Sequence, residues 1–250
     1  MATRRTALVT GGGSGMGEAT SLRFAHDGMA VGVLDIDVEA ANRVAAGIRA
    51  AGGEALAVQA DISERTQVEA AAAELRRAFG AITVVVNNAA IESFTPFLEI
   101  DDASWDRLMS VNLKGAYVVS QTVAPDMLAA SWGRIVNVSA IGAQSGAVNM
   151  AHYTASKGGL ISMTKSLAVE LGAKGVTVNA VSPGFILTPM SRRAIEGNLF
   201  PVPAKQIYGA YPIPRLGRPH EIAAACAYLV SEDAGYVTGQ VLAVNGGAYI

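Results

Sequence analysis

The stretch Thr6-Ala7-Leu8-Val9-Thr10-Gly11-Gly12-Gly13-Ser14-Gly15-Met16-Gly17 reads as a short buried strand that runs into a glycine-rich turn and opens a helix. Glycine permits a tight turn and a close approach of backbone to a ligand, and the free N–H groups at a helix start favour an anion. A glycine loop in this strand-loop-helix context is the signature of a dinucleotide site, with Gly11, Ser14, Gly15, Met16 and Gly17 against the pyrophosphate.

The same rhythm continues along the chain. Val31-Gly32-Val33-Leu34, Leu56-Ala57-Val58, Ile82 to Val86, Ile135 to Val138 and Val176-Thr177-Val178 are short apolar runs, and Val241 to Val244 reads as a closing strand. Alanine-rich, helix-favouring segments separate them at 15–28, 38–51, 64–79, 102–129 and 152–172, and a last helix at 219–231 starts on Pro219. Continuous apolar strands are buried on both faces, so the pattern predicts an α/β chain, a Rossmann-like doubly wound parallel sheet with helices on both sides. No linker divides it, and residues 1–250 read as one domain. The exception is 188–214, which holds five prolines between apolar residues and follows a strand, the position expected of a substrate lid.

Composition narrows the partners. A net charge of −2 without a basic stripe argues against nucleic acid or an anionic membrane, and a small molecule is the expected ligand. No apolar run reaches the length of a membrane span or signal peptide, so the expectation is a soluble cytoplasmic protein. Hydrophobic residues at 51% against 16% charged suggest surface buried in an oligomer. The single cysteine, Cys226, lies in an alanine run; it leaves no intrachain disulfide or thiolate metal cluster and reads as an inert buried thiol.

Asp35 ends the second strand eighteen residues after Gly17, near the offset at which an acid binds the adenosine ribose, so it selects NAD. A 2′-phosphate would meet like charge there, and the loop has no Arg or Lys to offset it. Asp37 reads instead as a helix-dipole partner. Asp61-Ile62 places a carboxylate near adenine or at a helix N-cap, and the residue type suits both. Tyr153 and Lys157 are four apart, on one face of a helix, and Ser139 precedes them by fourteen residues. With the glycine loop they read as an oxidoreductase active site. A cation at roughly 5 Å in an effective dielectric near 20 would lower the phenol pKa by about 2 units, towards useful acid-base strength.

The ordered set Thr10-Gly11-x-x-x-Gly15-x-Gly17, Asn87-Asn88-Ala89, Asn112, Ser139, Tyr153-x-x-x-Lys157 and Pro183-Gly184 resembles the short-chain dehydrogenase/reductase family over essentially the whole chain. The resemblance implies seven strands in the order 3-2-1-4-5-6-7 and a homotetramer built on the long helices and the last strand. It implies that Tyr153 exchanges a proton with a secondary alcohol or its ketone, that Lys157 lowers the phenol pKa and binds nicotinamide ribose, and that Ser139 bonds the substrate oxygen. Asn112 would position a proton relay, and Asn88, Ala89, Pro183, Gly184, Ile186 and Thr188 would border the cofactor. Ala90 replaces the family's usual glycine, costly if the backbone there has positive φ and otherwise only narrowing the site.

By the same analogy Ile91, Glu92, Ile141, Gln144, Ser145, Asn149, Phe185, Ile186 and Leu187 flank the reacting centre, with Ile141 and Phe185 as apolar wall and Gln144 or Asn149 for one polar group. Phe94, Phe97 and Trp105 read as core anchors, and His152 as structural or interfacial. The expected substrate is an apolar aliphatic or cyclic secondary alcohol. A hydroxyacyl-thioester dehydrogenase or oxoacyl reductase is the alternative, with Arg192, Arg193 and Lys205 for a linked phosphate; a non-catalytic NAD sensor or scaffold is the third.

Overall fold

A computed structural model describes residues 4–250. Seven parallel strands, β1 (Thr6–Thr10), β2 (Ala30–Asp35), β3 (Glu54–Gln59), β4 (Ile82–Asn87), β5 (Gly133–Val138), β6 (Val176–Pro183) and β7 (Val241–Val244), form one sheet in the order β3-β2-β1-β4-β5-β6-β7. The order expected from the resemblance is the order observed.

Helices α1 (Gly15–His26), α2 (Val38–Ala50) and α3 (Arg65–Phe79) connect the first four strands. After β4 come α4 (Asp102–Met109), a π-helical turn (Ser110–Lys114) and α5 (Gly115–Ala129). A short α6 (Gly142–Ser145) precedes α7 (Ala151–Leu171), and β6 is followed by α8 (Pro189–Glu196), α9 (Ala204–Gly209) and α10 (Pro219–Val230). The single helix expected over 102–129 is thus interrupted by one turn of wider winding. Among the described residues no helix is long and apolar enough to cross a membrane.

Strand side chains alternate between two cores. Ala7, Val9, Val31, Val33, Val84 and Val86 pack with Phe24, Val44, Ile48, Ile222 and Cys226 of α1, α2 and α10. Leu8, Leu34, Val85 and Ile135 face Val68, Leu75, Val119, Val123 and Met127 of α3 and α5 on the other side. Cys226 is fully buried, and burial pushes its thiol up to about 12, which keeps it unreactive at neutral pH.

Three of the prolines between 188 and 214 sit where they help local structure. Pro189 is the first residue of α8, whose N-cap Thr188 accepts from Ser191 N–H at 3.2 Å while Ser191 Oγ accepts from Thr188 N–H at 2.9 Å. Pro201 and Pro203 bracket the turn into α9. Phe97 and Trp105 are not core anchors, being 71% and 38% exposed. They flank the start of α4, and their side chains lie outside both packed layers.

Candidate active site

The glycine loop, Asp35, Asn88 and Ser139 lie at the carboxyl ends of β1, β2, β4 and β5, around the point where the chain turns from β1 to β2 on one side and to β4 on the other. In an open parallel sheet that divergence leaves a crevice. Two cavities open from it and share Met16, Ser139, Tyr153, Thr188 and Met190 as a common wall.

The first cavity, about 260 Å³, runs over the glycine loop. Gly11 and Gly15 take φ of +62° and +55°, accessible to glycine at little cost. A Cβ on Gly17 would stand 2.0 Å from Gly11 O, so the helix can start this close to the loop only without a side chain. The turn is also clamped to β4: Asn88 Nδ2 donates to Thr10 O at 3.0 Å, and Thr10 Oγ1 accepts from the N–H groups of Asn88 and Ala89 at 3.0 and 3.1 Å. Ser14, the N-cap of α1, makes no side-chain cap bond, so the first-turn N–H groups of that helix stay available to an anion.

Asp35 lines this cleft at the tip of β2. Its Oδ2 accepts from Gly13 N–H at 2.9 Å and its Oδ1 from Asp37 N–H at 3.1 Å, which holds the carboxylate in place at the end of the loop. Asp37 caps α2, accepting from Glu39 and Ala40 N–H, the helix-terminal role its position predicts. Asp61 is not the N-cap of α3, which begins after Glu64. It accepts from Ser63 N–H and Oγ at 2.9 and 2.6 Å and pairs with Arg107 at 3.3 Å. Burial opposes the charge, but these bonds outweigh it and hold the carboxyl below its usual range. Asp61, Ile62, Asn88 and Ala89 all line the cleft, and Arg107 joins them from α4. Ala90 lines it too and has no positive φ, so its Cβ narrows the site without backbone strain. An uncapped helix start, a loop that a single Cβ would fill and a fixed acid at the far end fit a dinucleotide.

Tyr153 and Lys157 project from α7 to the junction of the cavities. Lys157 is buried, and its Nζ donates to Val138 O at the end of β5 at 2.8 Å. Ser139 Oγ, one residue on, donates to Lys157 O at 2.9 Å, so it must swing its proton round to address a ligand oxygen. Lys157 Nζ stands 6.0 Å from the Tyr153 ring centre. The expected acidification of the phenol is not produced by the protein alone. Burial first, then the Glu92 carboxylate, push the Tyr153 phenol above its ordinary value, and burial pulls the Lys157 ammonium down to about 8. Desolvation of both groups outweighs one cation at this distance.

Asn112 lines neither cavity; it is buried in the π-helical turn. Its Oδ1 accepts from Ile91 N–H at 2.9 Å, and its Nδ2 donates to Ile91 O at 2.9 Å and to Ser156 Oγ at 3.2 Å. Ser156 in turn donates to Tyr153 O at 2.7 Å, so Asn112 ties the loop after β4 to the helix that carries Tyr153. A second buried chain runs Ser120, Asn87, Asn137, Thr164 and fixes β4 and β5 to α5 and α7. Ser156, Asn137 and Thr164 carry no signal in the sequence by themselves, since isolated hydroxyls and amides occur throughout it.

The second cavity, about 430 Å³, is apolar. Phe94, Phe185 and Phe200 meet edge-on there, with ring centres 5.2 Å apart for Phe94 and Phe200 and 4.9 Å for Phe185 and Phe200. Phe94 is therefore cavity wall and not a core anchor. Ile141, Phe185 and the 188–214 residues Met190, Phe200, Ile207 and Tyr211 line this space. Pro183, Gly184 and Ile186, expected beside the cofactor, line it as well and leave the glycine-loop cleft to Thr188. Gln144 and Asn149 do not line it; both are exposed, and Asn149, at φ +61°, uses its carbonyl to accept from Thr95 N–H at 2.7 Å. The turn at Asn149 directs the chain so that Val148 and Met150 face the cavity instead. His152 is completely buried within this chain, with neither ring nitrogen bonded.

Residues 11–249 match the family model described as enoyl-(acyl carrier protein) reductase. Over 243 residues, 97% of this chain and 96% of the relative, the chain is 40% identical to the (2S)-((R)-hydroxy(phenyl)methyl)succinyl-CoA dehydrogenase subunit BbsD of Thauera aromatica. It is 37% identical to the 3-oxoacyl-(acyl-carrier-protein) reductase FabG of Staphylococcus aureus, over 98% of both chains. A tryptophan variant of actinorhodin polyketide ketoreductase, solved with NADPH, superposes with a TM-score of 0.94 at 35% identity, covering 98% of this chain and 97% of that one. The chain belongs to the short-chain dehydrogenase/reductase family of nicotinamide-dependent oxidoreductases.

Proposed function

We propose that residues 1–250 form one catalytic domain that interconverts a secondary alcohol and its ketone with NAD(H), on an apolar aliphatic or cyclic skeleton. The observation that carries this reading is the position of Tyr153 and Ser139 on the wall shared by the glycine-loop cleft and the apolar cavity. A carbinol there would touch both hydroxyls while its skeleton lay against Phe94, Phe185 and Phe200. The bound dinucleotide supplies the hydride acceptor or donor. Tyr153 takes the alcohol proton or returns it to the ketone, and Ser139 bonds the oxygen where charge develops. Lys157 keeps its charge close to the phenolate that forms. Asn112 is a positioning residue, acting through Ile91 and Ser156. Residues 188–214 serve as the lid.

Asp35 supports NAD: its carboxylate is fixed at the end of β2, and of the basic residues nearby Arg43 is turned to Gly13 O at 2.7 Å and Arg107 to Asp61. The NADPH of the polyketide ketoreductase belongs to that protein. A hydroxyacyl thioester is the second reading, favoured by the thioester chemistry in the names of the two relatives and by the exposed Arg192, Arg193 and Lys205 of the 188–214 segment. Exposed Leu98, Val169, Tyr236 and Ile250 suit burial in the proposed homotetramer. The test is NADH fluorescence at alkaline pH across aliphatic and cyclic secondary alcohols, hydroxyacyl thioesters and sugars. Turnover of simple alcohols is the expected result; turnover of thioesters alone would replace the first reading with the second. Tight NAD binding without turnover would favour a sensor.

A further inference from the structure

Among the residues lining the apolar cavity Glu92 is the sole acid, and it shares that wall with Tyr153. Its backbone is held on both sides: Ile91 is bonded through N–H and C=O to Asn112, and Thr95 N–H donates to Asn149 O. The carboxylate itself accepts no hydrogen bond from the described residues. Burial keeps it above the usual carboxylate range, and Arg193, exposed on α8, acts on it only as a more distant charge. A half-buried carboxylate without a donor is costly, and a position so firmly fixed is suited to a ligand's donor.

We infer that Glu92 is a specificity-determining residue that accepts a hydrogen bond from a second hydroxyl of the substrate, so that the preferred substrate is a neutral hydroxy alcohol or hydroxy ketone on an apolar skeleton. A neutral donor fits better than an ammonium, because Arg193 already acts on Glu92 as a positive charge, and Lys157 lines the adjoining cleft beside Tyr153. An anion near the carbinol would meet the Glu92 charge directly. The three phenylalanines accept the carbon skeleton while the carboxylate takes the hydroxyl. The inference rests on the reading of Tyr153 as the proton-transfer group of an alcohol dehydrogenase.

The test compares kcat/KM with NAD for matched pairs, cyclohexanol against 1,2-cyclohexanediol and 2-butanol against 2,3-butanediol, with 3-hydroxybutyrate as the anionic probe. The unmodified protein is expected to favour each diol by about tenfold or more, the scale of one hydrogen bond to a charged group. That ratio should fall about tenfold in Glu92→Ala and by less in Glu92→Gln, whose amide oxygen still accepts. Use of 3-hydroxybutyrate should be poor and should improve in Glu92→Gln. Turnover that depends on Tyr153 but shows the same diol ratio with and without Glu92 would overturn this inference alone. Turnover of no member of either pair would overturn it together with the dehydrogenase reading.

Discussion

Backbone holds the glycine-loop end of the cleft, whereas side chains from separate segments build the cavity beyond Tyr153. At the first end Gly11, Gly15 and Gly17 are there because a Cβ would not fit or a φ would not be allowed, and Asp35 is fixed by main-chain N–H groups. At the second, Phe94, Phe185 and Phe200 arrive from loops after β4, β6 and α8 and pack on one another. The first end is fixed by the main chain and leaves little to vary. The second can be reshaped by substitutions that leave the sheet untouched, and substrate choice is therefore the part of the site that relatives of one fold can vary.

The sharpest test removes the proton-transfer group on the wall that both regions share. Tyr153→Phe should lower kcat by about a thousandfold, within the range of general acid-base effects, while NAD affinity measured by fluorescence titration stays within about twofold. A kcat above a tenth of normal would show that proton transfer runs through another group. Asp35→Ser should then separate the ends. It should narrow the NAD over NADP preference in kcat/KM by about tenfold, and the ranking of alcohols should not move. A changed ranking would mean that the two cavities are coupled. Phe200→Ala is the converse, raising substrate KM several-fold, about 1 kcal/mol, with NAD affinity unchanged.

The smallest effect concerns stability. Burial lowers the Lys157 ammonium from its ordinary 10.5 to about 8 in the folded chain. Between those values the unfolded chain holds more protons than the folded one, so stability rises with pH across that window; below about pH 8 the cost is present in full. Lys157→Met should raise the urea midpoint of the cofactor-free protein at pH 7, and the gap to the unmodified protein should shrink by pH 10. An equal gap at both values would show that the buried charge carries no strain.

The strands and the glycine loop were legible because each depends on residues close in sequence: apolar runs of strand length, and a turn whose geometry only glycine adopts. The interruption of the helix over 102–129 was not legible. Ser110 to Lys114 has ordinary helix-compatible composition, and the wider turn accompanies the Asn112 bonds to Ile91 and Ser156, which exist only once α4 and α7 are packed. Gln144 and Asn149 illustrate the same limit on the substrate side. Their residue types suit a binding role, but the positive φ at Asn149 turns the chain and presents Val148 and Met150 to the cavity.

The state of Tyr153 marks the boundary most clearly. Four-residue spacing was enough to put Tyr153 and Lys157 on one helix face, because helical geometry is local. It could not give the electrostatics. The depth of burial and the Glu92 carboxylate that opposes the phenolate come from other segments, and their sum reversed the expected shift. Sequence by itself determined the sheet, the dinucleotide loop and the family. Tertiary structure alone decided the charge balance around the phenol and the shape of the cavity, because both are sums over groups distant along the chain.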